Sequence, residues 1–322
     1  MEYRRLGSSG LKVSEFSFGA WVTFGSQIED KTSLECMKVA YDAGVNYFDN
    51  AEIYAGGRAE VVMGNIFKQM GWDRTTYVVS SKVFWGGKLP NQRGLSRKHI
   101  MEACDAALLR LQVDYLDLYF CHRPDPETPI EETVRAMTDL IRMGKVLYWG
   151  TSEWSAESIM EAYNIARKYM LVPPTMEQPQ YNLLHRDKVE KEFTKLYSDI
   201  GLGLTIWSPL ASGILTGKYN NGIPKDSRLN LPTLSWLKDS ISGTEGEKKL
   251  EKVRQLSKLA TELGIDITHL ALAWCLNNKN VSTVILGASN ASQLKNNLKV
   301  IDFKKLINSE IMNKINTIFE AS

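Results

Sequence analysis

A chain of 322 residues, 43% hydrophobic and 24% charged, can bury a large core and lacks the compositional bias of a disordered or fibrous protein. Its formal charge of +2, with no dense run of Lys and Arg, excludes a broad attraction to nucleic acid or acidic membranes. No stretch reaches the roughly 18 apolar residues of a membrane span, and Met1-Glu2-Tyr3-Arg4-Arg5 is no signal peptide, so a cytoplasmic protein without direct membrane insertion is expected.

The chain opens on Arg4-Arg5-Leu6 and Leu11-Lys12-Val13 around Gly7-Ser8-Ser9-Gly10, a hairpin suited to plug the bottom of a barrel. Apolar runs follow at Phe16–Trp21, Val45–Phe48, Tyr77–Ser80, Leu116–Cys121, Val146–Gly150, Thr175–Glu177, Leu204–Trp207 and Thr283–Leu286. They are short and mostly β-branched or aromatic, as buried parallel strands should be. Between them, Thr32 and Glu35 predict a capping box ahead of Leu34, Met37, Ala40 and Tyr41. Ser96 predicts the cap of a helix striped by Ile100, Cys104, Ala107, Leu108 and Leu111. Further helices are expected over Glu131–Arg142, Ser158–Tyr169, Lys188–Tyr197, Lys248–Leu263, Leu270–Asn277, Leu294–Val300 and Ser309–Glu320. Residues 211–244 form a long Gly/Pro/Ser-punctuated loop, a length that is usually functional. The alternation predicts one (β/α)8 TIM barrel spanning residues 1–322 as a single domain, with the N-terminal β-hairpin and extra C-terminal helices.

Barrels of this kind place their chemistry where strands end. Asp49 ends the second run with Tyr54 in the loop beyond it, Lys82 follows the third, and His122 the fourth. Ser152, Gln178, Ser208 and Gly287-Ala288-Ser289 follow the rest. A phenol is a poor acid-base group at neutral pH unless a neighbour tunes it. An ammonium such as Lys82 favours phenolate, a carboxylate such as Asp49 keeps the ammonium charged, and an imidazole such as His122 can share the proton or bind a substrate oxygen. The plain alternative is a buried Asp49–Lys82 ion pair. No G-x-G-x-x-G or Walker sequence occurs, which disfavours a Rossmann domain. Barrels also hold phosphate with the loops after strands seven and eight, and Lys218, Arg228, Ser289 and Gln293 are the candidates there, the last two opening a helix.

With these residues in view, the chain resembles the aldo-keto reductases, and within them the subgroup containing voltage-gated potassium-channel β subunits. The stretches that carry the resemblance include Gly44-Val45-Asn46-Tyr47-Phe48-Asp49-Asn50-Ala51-Glu52-Ile53-Tyr54, Phe84-Trp85-Gly86-Gly87-Lys88, Arg93-Gly94-Leu95-Ser96-Arg97-Lys98 and Arg123-Pro124-Asp125-Pro126. Tyr148-Trp149-Gly150-Thr151-Ser152-Glu153-Trp154, Trp207-Ser208-Pro209-Leu210 and Leu286-Gly287-Ala288-Ser289-Asn290-Ala291 extend it to the end of the barrel.

The resemblance implies a catalytic tetrad of Asp49, Tyr54, Lys82 and His122, with NADPH as cofactor. It implies that Trp21, Ser152, Gln178 and Trp207 touch the nicotinamide half, and that Ser208, Leu210 and Lys218 hold the pyrophosphate. Arg228, Ser289 and Gln293 would surround the 2′-phosphate, with Gly287 among the cofactor contacts and Asn297 near the adenine. The implied reaction is hydride transfer from nicotinamide to a small carbonyl substrate, an aldehyde or ketone, with Tyr54 as proton donor. A tetramer or larger homo-oligomer, and a channel α subunit as partner, are implied by the subgroup.

Asn50 and Ala55 replace the Thr and Gly common around the family's Asp and Tyr. Glu153 stands where many members have an Asn, so no carboxamide role is assigned to it. His122, where channel β subunits commonly carry Asn, restores the standard tetrad and favours reductase turnover. Met1 lies close to the hairpin, which leaves no room for a channel-blocking N-terminal segment. A metal-dependent hydrolase is disfavoured, because only His99, His122, His185 and His269 occur and no metal-ligand spacing is present. Cys36, Cys104, Cys121 and Cys275 contain no C-x-x-C pair and are expected to be reduced thiols. Trp21, Phe84, Trp85 and Trp154 are candidates for an aromatic wall around the site.

Overall fold

The computed structural model of the chain describes residues 1–224 and 241–320. Strands β1 (Tyr3–Arg5) and β2 (Lys12–Ser14) pair antiparallel as the expected hairpin. Eight parallel strands then close a barrel: β3 (Phe16–Gly19), β4 (Tyr47–Asp49), β5 (Val78–Val83), β6 (Leu116–Cys121), β7 (Val146–Thr151), β8 (Met176–Glu177), β9 (Gly203–Ile206) and β10 (Val281–Leu286). They run around the barrel in sequence order, and β10 closes on β3.

Period-two alternation decides what faces the barrel interior. Tyr47, Val78, Leu118, Phe120 and Met176 cluster with Leu6 and Val13 of the hairpin, so the hairpin does plug one end. The backbone N–H of Ser8 donates to the carbonyl of Gly201 at 2.8 Å, just ahead of β9, which fixes the plug at the N-terminal ends of the strands. Two residues further along, the inward positions become polar: Asp49, Ser80, Lys82 and Gln178. The alternate residues face outward, and Ser81 donates to Glu60 on an outer helix at 2.6 Å. Gly150 is required by this geometry, because a Cβ there would lie 2.2 Å from the Met176 carbonyl on the adjacent strand.

The connecting helices in this part of the chain are α1 (Asp30–Asp42), α2 (Arg58–Met70), α3 (Arg97–Leu111), α4 (Ile130–Arg142), α5 (Ala156–Lys168) and α6 (Thr194–Asp199). Ser96 caps α3 as expected, accepting from the His99 N–H at 3.3 Å, and Ile100, Cys104, Ala107 and Leu111 are buried beneath it. The capping box at Thr32 does not form. Helix α1 starts at Asp30, where an ion pair with Arg58 at 2.6 Å holds its first residue, so Thr32 lies inside the first turn. Helix α2 is additional to the helices read from the sequence, although Ala59, Val62, Met63, Ile66 and Phe67 repeat at helical spacing and are all buried. Lys188–Tyr197 is not one helix, but a turn over Lys188–Glu192 followed by α6.

The described contacts divide into two compact units. One comprises Met1–Pro179, Asp187–Trp207 and Asn280–Lys295 and contains the hairpin and the whole barrel. The other comprises Gln180–Arg186, Ser208–Lys279 and Asn296–Ser322 and contains the helices Gly243–Glu262, Ile267–Asn277 and Ser309–Glu320. Among the described residues no single helix is long and apolar enough to cross a membrane.

Candidate active site

Four side chains meet at the C-terminal end of the barrel. Asp49 is the last residue of β4, and its Oδ2 accepts from Lys82 Nζ at 2.6 Å. Lys82 belongs to β5 itself and not to the loop after it; its ammonium also donates to the Asn50 carbonyl at 2.7 Å and to the Tyr54 hydroxyl at 3.2 Å. The strand therefore carries a lysine that is fully buried, satisfied by three partners. Tyr54 opens a tight turn in which Ala55, Gly56 and Gly57 have φ of 49°, 61° and 88°. This left-handed run reverses the chain at once, so the phenol stays over Lys82. His122, directly after β6, lies with its ring 5.8 Å from that of Tyr54. The four residues predicted from strand ends are thus brought together, and the plain ion-pair alternative is contained within the same cluster.

Around Asp49 the structure adds a shell that strand-end reasoning does not reach. Its other oxygen, Oδ1, accepts from Tyr47 hydroxyl at 3.1 Å, Ser80 Oγ at 2.8 Å and Gln178 Nε2 at 3.1 Å. Tyr47 and Ser80 precede Asp49 and Lys82 by two positions, which is the available signal: on a strand they share the inward face. Gln178 Nε2 also reaches Thr205 Oγ1 at 3.2 Å, so both donors of its amide are engaged and its carbonyl oxygen is left as acceptor.

Burial shapes the proton affinities. Desolvation, reinforced by the Asp49 carboxylate and opposed by Arg123, pushes the Tyr54 phenol well above its ordinary value. The expected lowering by a nearby ammonium is therefore overridden, and Tyr54 is a phenol in this state. Burial also pulls the Lys82 ammonium below the ordinary lysine range, against the opposing pull of Asp49. Burial first, then the charges of Lys82 and Arg123, hold His122 well below its ordinary value, so its imidazole is neutral at neutral pH. His122 Nδ1 is buried with no hydrogen-bond partner.

The rim is aromatic and polar. Trp85 packs edge-on to His122 at 4.9 Å and against Phe84 at 5.0 Å. Trp21 and Trp207 meet edge to face at 5.7 Å. Trp154 does not join this wall, because it is buried in the core. Ser152 donates its hydroxyl proton to the backbone carbonyl of Gln178 at 2.8 Å. Glu153, at φ 60°, accepts from Trp207 Nε1 at 2.9 Å and pairs with Lys188 at 3.0 Å, so its carboxylate anchors an aromatic residue of the rim. Arg123, which the sequence reading leaves without a role, has its guanidinium over Trp85 at 5.1 Å.

The remaining cofactor candidates have their own local settings. The Ser289 N–H and hydroxyl both contact Gln293 Oε1, at 2.8 and 3.1 Å. The helix begins at Ala291, so Ser289 precedes it and Gln293 lies in its first turn, a correction to the expectation that both open it. Gly287 follows β10 and is exposed. In the second unit, Ser208 has φ 55° and its Oγ accepts from the Ser212 N–H at 3.1 Å, with Leu210 between them at the start of the short helix Ala211–Thr216. Lys218 is exposed, with Nζ 4.9 Å from the Tyr219 ring, and Asn297 is buried with Nδ2 lacking a partner. Arg228 lies outside the described residues. Among the described residues no three His, Cys, Asp or Glu side chains gather as a metal-binding group.

Comparison with known proteins agrees with this geometry. The Aldo/keto reductase family model matches residues 15–320. A protein of Oryza sativa subsp. japonica named "Probable voltage-gated potassium channel subunit beta" is 51% identical over 322 residues, covering 100% of this chain and 97% of that protein. The chain belongs to the aldo/keto reductase family and, with it, to the oxidoreductases.

Proposed function

We propose that the chain catalyses NADPH-dependent reduction of an aldehyde or ketone, with Tyr54 as proton donor. The observation that carries this reading is the chain of contacts from Tyr54 hydroxyl through Lys82 Nζ, at 3.2 Å, to Asp49 Oδ2, at 2.6 Å. The residues fit a dinucleotide. The Trp21–Trp207 pair offers aromatic faces, and Gln178 keeps an acceptor for a carboxamide N–H. In the second unit, the unpartnered Asn297 Nδ2 suits an adenine ring nitrogen. Ser152 completes the nicotinamide contacts of this reading, and Gly287, Ser289 and Gln293 stand as phosphate-side contacts of the barrel unit; Ser208, Leu210 and Lys218 are candidates of the second unit. When bound, NADPH supplies the hydride that the carbonyl carbon accepts.

The protein's own part is proton delivery and charge stabilisation. The phenol, kept protonated by burial, gives its proton to the oxygen on which negative charge develops. The phenolate left behind is stabilised by Lys82, whose charge Asp49 maintains. Neutral His122 donates a hydrogen bond to the same oxygen.

The test is NADPH oxidation over a panel of aldehydes and ketones, with Tyr54→Phe run beside the wild type and cofactor affinity followed by fluorescence. Turnover should fall about 10²–10⁴-fold in the variant with binding retained. Tight NADPH binding without turnover of any carbonyl would overturn the reading.

A second reading is favoured by the relative at 51% identity: association of a tetramer or larger assembly with a channel α subunit. Co-purification of a voltage-gated potassium channel with the tagged chain tests it, and recovery of the chain without any channel counts against it.

A further inference from the structure

We propose that Arg123 forms a carboxylate subsite beside Tyr54 and His122, so that the preferred substrate is a carbonyl compound bearing a carboxylate. The proposal rests on the carbonyl-reduction reading above and narrows its substrate class.

Arg123 is half-buried at the end of β6 and is held in place from three sides. Its Nη1 donates to the His122 carbonyl at 2.5 Å and lies 3.4 Å from Ser152 Oγ. Its guanidinium lies over Trp85 at 5.1 Å, and Trp85 in turn packs on the His122 ring at 4.9 Å. The following Pro124 restricts its backbone as well. Both hydrogen bonds come from one nitrogen, so most of the guanidinium's five or so N–H donors are left for a ligand.

What sets Arg123 apart from the similarly half-buried Arg74 and Arg110 is the lack of a counterion. Arg58, Arg74, Arg97 and Arg110 each meet a carboxylate at 2.6 Å. Arg123 meets none within 4.0 Å among the described residues. Asp125, close by in sequence, is taken up by the Leu95 N–H and the Thr128 hydroxyl, both at 2.7 Å. The charge nevertheless reaches the chemistry: it pulls down the proton affinities of Lys82, His122 and Tyr54. A partly buried cation without a partner is costly, and one held rigid by an aromatic face with its fork open is matched to a planar carboxylate.

The experiment compares 2-, 3- and 4-carboxybenzaldehyde with their methyl esters, which keep the carbonyl and ring but remove the charge. Wild-type protein should favour at least one acid over its ester by about tenfold or more in kcat/KM, carried by KM. The ratio should fall to near unity in Arg123→Met and be partly kept in Arg123→Lys, whose point charge lacks the fork. Benzoate should perturb the tryptophan fluorescence of the cofactor-free wild type and not that of Arg123→Met, with thermal melts showing that both are folded. A wild type that reduces acids and esters alike overturns the subsite and leaves carbonyl reduction standing. An unchanged acid-to-ester ratio in Arg123→Met, with weakened NADPH binding, assigns the guanidinium to the cofactor and also overturns it. If neither acid nor ester is reduced, the proposed substrate class is overturned, and carbonyl reduction stands or falls on the wider panel.

Discussion

At the hairpin end of the barrel, Val78, Leu118 and Met176 pack with Leu6 and Val13 into an apolar floor. Two or four residues further along the same strands stand Ser80, Lys82, His122 and Gln178, tied to Asp49 or facing Tyr54. Both ends are buried, but they respond differently to damage. An apolar floor loses stability in proportion to the volume removed. A buried polar cluster depends on every partner, because each group left unpaired keeps its full desolvation penalty. One inward-facing pattern therefore yields a tolerant end that holds the fold and an intolerant end that holds charge.

The sharpest test of that contrast is Lys82→Met, which leaves the Asp49 carboxylate buried without its ammonium. It should cost about 3–5 kcal/mol by denaturant titration, and the Asp49→Asn/Lys82→Met pair should recover much of that. A double variant no better than the single would break the comparison. Leu118→Ala at the floor should cost about 3 kcal/mol, with the catalytic geometry and turnover retained, as steady-state kinetics would show.

A further effect depends on pH. Glu177, fully buried, has Oε2 accepting from the Thr151 hydroxyl and Oε1 unpartnered, and burial raises its pKa to about 8 from an ordinary 4.5. Because the folded value is the higher one, the carboxyl's contribution is full below the unfolded pKa and is lost as pH rises from 4.5 towards 8. Glu177→Gln, neutral throughout, should melt clearly above wild type at pH 8 and close to it at pH 4. Equal melting-temperature changes at both pH values would show that Glu177 does not titrate in this window.

Much of this was legible from residues alone, for identifiable reasons. The barrel strands announce themselves because both their faces are buried and their runs are apolar. Polar residues at the ends of those runs stood out against that background, which is why Asp49, Lys82, Tyr54 and His122 were accessible. Tyr47 and Ser80 were hidden because an aromatic residue and a small polar one inside an apolar run read as ordinary strand. The sequence alone puts Lys82 after its strand, since a charge normally ends a buried strand; only a partner across the barrel explains one inside it. The Thr32 cap does not form because the helix begins two residues earlier, at Asp30, which leaves Thr32 inside the first turn. Glu153 and Arg123 depend on neighbours distant in sequence, Trp207 and Lys188 for one and Trp85 for the other, and no local pattern encodes those pairs.

The four cysteines give the fold one more property. All are buried and none forms a disulfide, and burial raises the Cys36 and Cys104 thiols to about 11 and about 12. The native thiols are thus hidden, and Cys36 and Cys104 are almost free of thiolate, while an opened chain exposes all four. Alkylation consequently runs as an internal clock of opening. Cys36, Cys104 and Cys121 time the barrel unit and Cys275 times the other, so the two parts of one chain can be heard separately without any added label.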